Sequence, residues 1–374
     1  MLFSLFIYFF YINIFFYFLL IFWFILGLLK IKSPVTVPLA SPIKKDVSVI
    51  VCVKNEENVI GNLLDDLKSQ VYDEDIEFII VDDNSNDKTA EIISHYIDID
   101  NRFKYICSKG GDDSLSFKKK ALDAGIKAAQ FKYLLFTDAG CRLEKQWIQS
   151  IMKKYLPGIN YVIGLSFIDK AKKFITRFQK VDLFILMIST ISSVKLNYPL
   201  ASTGQNLSYK KDVFLSMNGF SKISNLMMGD DSIFMQMCLK QRNIKVDISD
   251  NPNSFVQSKM IFKWRELLLQ RIRWAGDGII MWNYNKLFYI AMLFTFTTNL
   301  FYFIMPFIFY SSLFYLLFFY VIKFLFEFIF YCIGSIKINK RINILNFIIW
   351  FFLQIPYIVF VGFLAPFSRR LGWK

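Results

Sequence analysis

The stretch VSVIVCVKNEENVIGNLLDDLKSQ (47–70) decides the fold class of this chain. Its first seven residues form an almost continuous β-branched run, which is typical of a strand buried on both faces of a parallel sheet. The rest predicts a helix with apolar residues at Val59, Leu63, Leu64 and Leu67. A buried strand followed directly by an amphipathic helix favours the α/β class.

The same alternation continues toward the C terminus. Three further predicted strands are EFIIVDD (77–83), FKYIC (103–107) and KYLLFTDAG (132–140). Two predicted helices lie between them, NDKTAEIISHYI (86–97) and FKKKALDAGIKAAQ (117–130). Strands and helices alternating at this length predict a mostly parallel sheet with helices on its faces.

Polar residues follow the ends of three predicted strands. They are Asn55, Glu56, Asp82, Asp83 and Asp138. Ligands of parallel sheets bind beyond the carboxyl ends of the strands, although acidic residues there also form simple turns. No GxGxxG or GxxxxGK[ST] loop follows the first strand, which disfavours a dinucleotide oxidoreductase or a P-loop ATPase. A divalent cation bound by a carboxylate is another way to hold a diphosphate.

The first 29 residues contain no charged side chain. This apolar segment is long enough to form one membrane-spanning helix. Lys30 and Lys32 follow directly, so the positive-inside rule places the C-terminal side of this helix in the cytosol. A cleaved signal peptide would carry its positive charge before a shorter apolar core, so that alternative is disfavoured.

A second apolar block, Leu287–Pro366, predicts about three further spans and therefore four in all. Pro306 with Ser311 and Ser312 offers a turn between the first two of them. Four full spans would leave the basic C-terminal tail outside, against the positive-inside rule. The alternative is a break at Pro356 that makes the last segment re-entrant or interfacial.

Two other stretches, 174–196 and 254–268, mix apolar and basic residues as interfacial helices do. For the first of them, an ordinary helix packed in the protein is an equal alternative. Lys323 and Glu327 lie four residues apart inside a predicted span. They predict either an internal ion pair or part of a path for a glycan or lipid headgroup.

The chain has 44 basic and 30 acidic residues, a formal net charge of +14. Residues 30–286 hold 37 of those basic and 29 of those acidic residues, which suits an anionic membrane surface or a phosphate-bearing substrate. No basic-aromatic repeat supports nucleic-acid binding. His95 is the single histidine, which excludes a His-based triad or a multi-His zinc site, and the five cysteines show no CxxC spacing.

Six short motifs between Val47 and Gly278 resemble, in their order, those of membrane-bound family 2 glycosyltransferases. They are VKNEEN (53–58), VDDNS (81–85), TDAGC (137–141), TGQNLSYKKDVF (203–214), GDD (229–231) and QRIRW (270–274). This family includes cellulose, chitin and hyaluronan synthases and ceramide glucosyltransferase. The resemblance implies an inverting enzyme with a GT-A fold, that is, an α/β nucleotide-diphospho-sugar transferase domain, flanked by N- and C-terminal membrane helices.

The resemblance also implies a role for each motif. Nucleotide-sugar binding falls to Asn55, Glu56, Asp82, Asp83, Asp138 and Gln270. Catalysis falls to Asp231 as the base, to Asp230 beside it and to Arg273 at the leaving diphosphate. Acceptor binding is implied for Gly204, Asn206 and Trp274. The spacing of Gln270, Arg273 and Trp274 would place all three on one face of a helix.

One position departs from the family pattern. The DxD motif that holds the donor's metal ion reads Asp138-Ala139-Gly140, so its second carboxylate is lost. A divalent cation, Mg²⁺ or Mn²⁺, is still expected on Asp138, because magnesium commonly keeps several waters among its ligands.

These features predict a hexosyltransferase-type enzyme (EC 2.4) that moves a sugar from a UDP- or GDP-linked donor to a membrane lipid or lipid-linked glycan. A multi-pass protein of a bacterial-type inner or cell membrane, with a cytosolic catalytic domain, is expected. The expected domains are a transmembrane helix (1–29), a linker (30–45), a GT-A domain with interfacial helices (46–285), a C-terminal membrane region (286–367) and a basic tail (368–374). The alternatives are a processive polysaccharide synthase and exporter, or a catalytically degenerate membrane-bound binding partner.

Overall fold

The computed structural model describes residues 2–31, 44–308, 313–341 and 343–370. These residues form two compact units. The sheet unit comprises residues 44–169 and 201–259, and the helical unit comprises the other described residues. Most of the predicted linker (30–45), the turn at Ser311 and Ser312, and the end of the basic tail lie outside the described residues.

The sheet unit is built on a seven-stranded sheet with the order β3-β2-β1-β4-β7-β5-β8. Its strands are β1 (Val47–Val53), β2 (Ile76–Asp82), β3 (Phe103–Cys107), β4 (Tyr133–Asp138), β5 (Ile159–Ile163), β7 (Leu207–Lys210) and β8 (Lys245–Ile248). Only β7 runs antiparallel to its neighbours. A small parallel pair, β6 (Ser166–Phe167) with β9 (Val256–Gln257), completes the sheets described. The predicted mostly parallel sheet is confirmed.

The central strand β1 determines where the site forms. Val49, Ile50 and Val51 are fully buried because helices cover both faces of the sheet. At the carboxyl end of β1, Val53 pairs with Asp82 of β2 and Cys52 pairs with Asp138 of β4. The two aspartates therefore flank β1 at one edge of the sheet.

Six helices belong to the sheet unit. They are α2 (Ile60–Lys68), α3 (Thr89–Ile99), α4 (Lys118–Ala128), α5 (Trp147–Met152), α7 (Lys211–Ser216) and α8 (Ser232–Leu239). The predicted helix after β1 begins later than expected. Asn55 has a φ of 53°, in the left-handed region, and its backbone N–H donates to Ser85 Oγ at 2.9 Å. Residues 54–59 thus form a loop at the sheet edge.

The helical unit contains α1 (Leu2–Leu29), α6 (Phe174–Lys195), α9 (Trp264–Ile280), α10 (Lys286–Ile308), α11 (Leu313–Lys337) and α12 (Ile344–Leu364). Among the described residues, four segments are long and apolar enough to cross a membrane, as predicted: Ile7–Leu29, Lys286–Ile308, Leu317–Lys337 and Ile344–Ser368. Pro306 lies inside α10 and Pro356 inside α12. The alternative of a break at Pro356 is therefore wrong, because the helix continues through this residue.

Two other predictions concern the stretches expected to be interfacial. α6 is a packed helix, since a Cβ added to Gly27 of α1 would come within 2.7 Å of Ser192 Cα. The helix expected at 254–268 is wrong over most of its length. Its first residues form a turn and then the strand β9, which pairs with β6, and helix α9 begins only at Trp264.

Lys323 and Glu327 form an internal ion pair in the helical unit. Lys323 Nζ donates to Glu327 Oε1 at 2.6 Å. Tyr17 OH from α1 donates to the same oxygen, and Gln354 Nε2 from α12 donates to Oε2, both at 2.5 Å. This network satisfies both carboxylate oxygens and links three helices.

Candidate active site

A lysine lies between two of the predicted site aspartates. Lys118, the first residue of α4, places Nζ 2.6 Å from Asp138 Oδ1 and 3.8 Å from Asp230 Oδ2. Burial lowers the pKa of its ammonium, but the two carboxylates raise that pKa by more, so the net value is well above the usual one. Lys118 therefore stays positively charged at physiological pH.

Asp231 joins the same cluster through Gly204. The Gly204 N–H donates to Asp231 Oδ2 at 3.1 Å, and the Ser232 N–H donates to Asp231 Oδ1 at 2.5 Å at the start of α8. A Cβ added to Gly204 would lie 3.3 Å from Lys118 Nζ, 3.7 Å from Asp230 Oδ2 and 3.8 Å from Asp231 Oδ2. Gly204 thus lies in the middle of the charged groups.

The pKa of Asp231 is raised to about 6, mainly by burial and then by the negative charge of Asp230. The N–H groups of Ser232 and Gly204 and the charge of Lys118 oppose this shift. The carboxylate is therefore ionised at neutral pH but is a stronger base than an ordinary aspartate. That combination suits general-base catalysis.

The loop before Asp230 is held by a buried lysine. Lys119 is fully buried, and its Nζ donates to the backbone oxygens of Leu226 and Met228. Gly229 then turns the chain with a φ of +103° and delivers the acidic pair to the cluster. Lys118 thus contacts Asp138, while its neighbour Lys119 holds the loop that carries Asp230 and Asp231.

The other predicted donor residues lie at the same edge of the sheet. Asp82 Oδ2 accepts from Tyr105 OH at 2.8 Å, and Asp82 Oδ1 accepts from Ser85 Oγ at 2.5 Å. Asp83 pairs with Lys54 at 3.1 Å. Asn55 Oδ1 accepts from a backbone N–H of the 84–88 loop at 2.8 Å. These bonds join the loop after β1 to the loop after β2.

Asn206 has a structural position. Its side chain is fully buried, and Nδ2 donates to the carbonyls of Leu165 and Ser254, both at 2.8 Å. Its Oδ1 accepts from Trp147 Nε1 at 3.0 Å. With every side-chain group enclosed and bonded within the protein, Asn206 fits the role of anchoring the Gly204 segment better than the predicted contact with an acceptor.

The position of the missing DxD carboxylate is covered by a lysine. A Cβ added to Gly140 would lie 2.6 Å from Cδ, 3.0 Å from Cβ and 3.2 Å from Cγ of Lys259. Lys259 Nζ donates to Glu56 Oε2 at 2.8 Å. The stem of Lys259 therefore occupies the space that a side chain at position 140 would enter, while its ammonium lies beside a predicted donor residue.

In the helical unit, α9 confirms the helical spacing of the QRIRW segment but shows a buried arginine that sequence reasoning missed. Arg271 is 5% exposed, donates from Nε to Asp182 Oδ2 at 2.8 Å and donates to Gln270 Oε1 at 2.7 Å. Its guanidinium lies 4.1 Å from the centre of the Trp274 ring. Arg273 is half-buried, burial lowers its pKa, and within the described ranges no carboxylate pairs with it.

Three lysines of the sheet unit were also missed. The KKK run at 118–120 lies in the first turn of a predicted helix (117–130) and contains two of them, Lys118 and Lys119. A basic run at a helix start is unusual, since the helix dipole disfavours cations there, and this could have signalled a function. Nothing in the local sequence points to Lys259, because its partners lie far away in the chain.

Comparison with known proteins identifies the family. The model of "Glycosyl transferase family 2" matches residues 48–214, and that of "Glycosyl transferase family group 2" matches residues 138–364, more than half of the chain. The chain therefore belongs to the family 2 glycosyltransferases. It is a glycosyltransferase of the membrane-associated kind, with helices apolar enough to span a bilayer.

Curated relatives cover different parts of the chain. The poly-β-1,6-N-acetyl-D-glucosamine synthase of Staphylococcus aureus is 23% identical over 239 residues, which are 62% of this chain and 54% of the relative. The GalNAc(5)-diNAcBac-PP-undecaprenol β-1,3-glucosyltransferase of Campylobacter jejuni is 26% identical over 123 residues, which are 33% and 38% of the two chains. The match thus spans about half or less of the length of these relatives.

Among solved structures, the mannosyltransferase PcManGT from Pyrobaculum calidifontis, in complex with GDP-Man and Mn²⁺, matches with a TM-score of 0.51. It is 18% identical, and the match covers 67% of this chain and 66% of PcManGT. At this identity the likeness concerns the fold alone, and together with the family match it confirms the predicted GT-A architecture.

Proposed function

We propose that this glycosyltransferase moves one sugar, with inversion, from a nucleotide-diphosphate sugar to a membrane lipid or lipid-linked glycan at the cytosolic face. The observation that carries the proposal is the convergence of Asp138, Asp230 and Asp231 on Lys118 and Gly204. A buried base and a fixed cation beside one small glycine suit a reaction that removes a proton and releases an anion.

In the proposed mechanism, Asp231 accepts the proton of the attacking acceptor hydroxyl. That oxygen forms a bond to the anomeric carbon while the bond from this carbon to the diphosphate oxygen breaks on the opposite face. The electron pair of the broken bond leaves with the nucleoside diphosphate. Lys118 is the cation of the sheet unit that we propose to stabilise the charge that grows there, and this stabilisation is largest in the transition state. The same role, which the family resemblance implies for Arg273, stays a prediction.

The remaining predicted residues receive positional roles in this proposal. Asp82 and Asp83 would accept hydrogen bonds from the base and ribose, with Asn55 and Glu56 beside the nucleoside. Gln270 would lie near the diphosphate. The ring of Trp274 would offer an apolar face to a sugar. The buried pair of Arg271 with Asp182 would hold helix α9, which carries Gln270 and Trp274, in place.

The residues around Asp138 fit a protein-held divalent cation poorly. One oxygen of Asp138 already accepts from Lys118, and position 140 supplies no carboxylate. Across the described residues, no group of three or more His, Cys, Asp or Glu side chains is placed to hold a metal. The mechanism proposed here therefore uses only groups of this chain.

Similarity to a polysaccharide synthase supports a second candidate, a processive synthase that also exports its product. Similarity to a transferase that is named for a lipid-linked acceptor supports the single transfer that is preferred here. The reaction named for the Campylobacter relative is of this single-transfer kind. A degenerate binding partner is disfavoured by the retained Asp231.

The test is turnover in purified membranes with a panel of labelled UDP- and GDP-sugars. Asp231→Asn is expected to lower the rate by roughly 10²- to 10⁴-fold, because a general base contributes about that much. The matched control, Asp212→Asn, alters an exposed aspartate and should keep wild-type activity. Organic-extractable product supports the proposal, and long-chain insoluble product supports a processive synthase. The enzyme proposal fails if no donor yields product or free nucleotide.

A further inference from the structure

Lys259 and Gly140 form a unit within the sheet unit. The stem of Lys259 fills the space that a side chain at position 140 would take, so an aspartate there would overlap it at 2.6 Å from Cδ. The two residues are 119 positions apart in the chain. The aliphatic stem of Lys259 lies where a side chain at position 140 would begin, at the position for which the family pattern has an acidic metal ligand.

We infer that Lys259 binds the donor diphosphate directly, and that this enzyme binds its nucleotide donor without a protein-held divalent cation. This inference rests on the proposed function. An ammonium and a bridging metal both reduce the negative charge of a diphosphate, and a lysine does so as a point charge that donates hydrogen bonds. Because the second DxD carboxylate is missing here, Lys259 would neutralise the diphosphate in place of the metal ion.

The surroundings of Lys259 support the assignment. Its side chain is half exposed, so a ligand can reach the ammonium. Its ammonium pairs with Glu56, which the family resemblance places beside the nucleoside. This pair would hold Lys259 in position before the donor arrives, and the diphosphate would then take over part of the contact.

Lys118 is a second lysine that supports the inference. Its ammonium bonds the one carboxylate that remains of the DxD motif. A metal ion on Asp138 would have to share that carboxylate with a lysine that stays charged. A lysine on the one DxD carboxylate and a lysine stem beside Gly140 leave few ligands for a divalent cation here.

The experiment measures binding of UDP, GDP and dTDP to the full-length chain in lipid nanodiscs by calorimetry, with EDTA or with Mn²⁺. Wild type is expected to bind one of these nucleotides with a Kd that changes less than about threefold between the two conditions. Lys259→Met keeps the stem over Gly140 but removes the charge, and it should weaken binding in EDTA about tenfold, the effect of one charge-assisted contact. Lys259→Arg should restore most of the affinity.

One further variant serves as a control, and another rebuilds the acidic motif. Lys44→Met removes a lysine from an exposed pair with Asp75, at the opposite edge of the sheet, and should bind as wild type does. Gly140→Asp combined with Lys259→Ala removes the overlap and rebuilds the second carboxylate. This double variant should bind about tenfold more tightly with Mn²⁺ than with EDTA.

The results discriminate between the inference and the proposed function. If wild type needs Mn²⁺ for a tenfold gain in affinity, or if Lys259→Met binds as tightly as wild type in EDTA, the inference is overturned while the glycosyltransfer proposal stands. If wild type binds none of the three nucleotides in either condition, the donor class in the proposed function is wrong and the inference falls with it.

Discussion

Lys323 and Lys118 both pair with carboxylates in this protein, and their settings differ. Lys323 in the helical unit faces one carboxylate, whose two oxygens accept from Lys323, Tyr17 and Gln354. Lys118 in the sheet unit faces Asp138 and Asp230, with Asp231 close by. The first cluster is balanced in charge and fully bonded, whereas the second has an excess of carboxylates. The balanced cluster connects helices. In the second cluster, burial and the negative charge of Asp230 raise the pKa of Asp231 and make it a stronger base.

The largest expected effect is on the stability of the balanced cluster. Lys323→Met leaves the Glu327 carboxylate buried without a counter-charge, which should reduce the free energy of unfolding by about 3–5 kcal/mol. The double variant Lys323→Met with Glu327→Leu removes both charges and should recover most of that loss. Thermal unfolding in detergent measures both. Equal instability of the two variants would show that the charges are not what matters.

The same change in the unbalanced cluster should affect activity instead. Lys118→Met is expected to lower turnover by roughly 10²- to 10³-fold, the usual effect of removing one group that stabilises transition-state charge. Its melting temperature should change much less than that of Lys323→Met. A second change, Asp138→Asn, restores the original net charge of the cluster but should not restore turnover. Recovery in that double variant would mean that Lys118 is only a structural partner.

A third expected effect is the pH dependence of catalysis. The pKa of Asp231 is raised to about 6 by burial and by Asp230, and the base works only when deprotonated. The value of kcat/KM should therefore fall about tenfold per pH unit below about pH 6 and level off above it. Asp230→Asn removes the nearby charge and should shift this limb to lower pH. A limb that does not move in Asp230→Asn would mean that another group titrates.

The sequence predicts the first half of the sheet unit well, and the reason is physical. Strands β1, β2 and β4 are apolar runs buried on both faces, and the carboxyl ends of parallel strands lie at one edge of the sheet, so Asp82 and Asp138 could be placed together. The antiparallel β7 could not be placed, because its position depends on pairing between distant parts of the chain. The strand β9 was read as helix for a related reason. A two-residue strand leaves no periodic pattern, and its apolar and basic neighbours imitate an amphipathic helix.

The site was predictable only where a motif carried it. Asp231 and Gly204 belong to motifs of the family, and their contact agrees with the implied roles without testing catalysis. Lys119 and Lys259 contact residues that are distant in sequence, and nothing in the residues around a lysine indicates such distant partners. Arg271 was overlooked because the motif draws attention to its neighbours.

The smallest expected effect concerns Lys119. A variant of this residue tests whether it only positions the loop of Asp230 and Asp231 or also contacts the donor. Lys119→Met fits a side chain of similar length into the same buried space but loses the bonds to the carbonyls of Leu226 and Met228. An unsatisfied buried carbonyl costs about 1–3 kcal/mol, so the loop carrying Asp230 and Asp231 should loosen and kcat should fall about tenfold. Nucleotide affinity should stay within about twofold of wild type, since no group that we assign to the donor is removed. Calorimetry and steady-state kinetics together check this, and a parallel loss of affinity and kcat would place Lys119 among the residues that contact the donor.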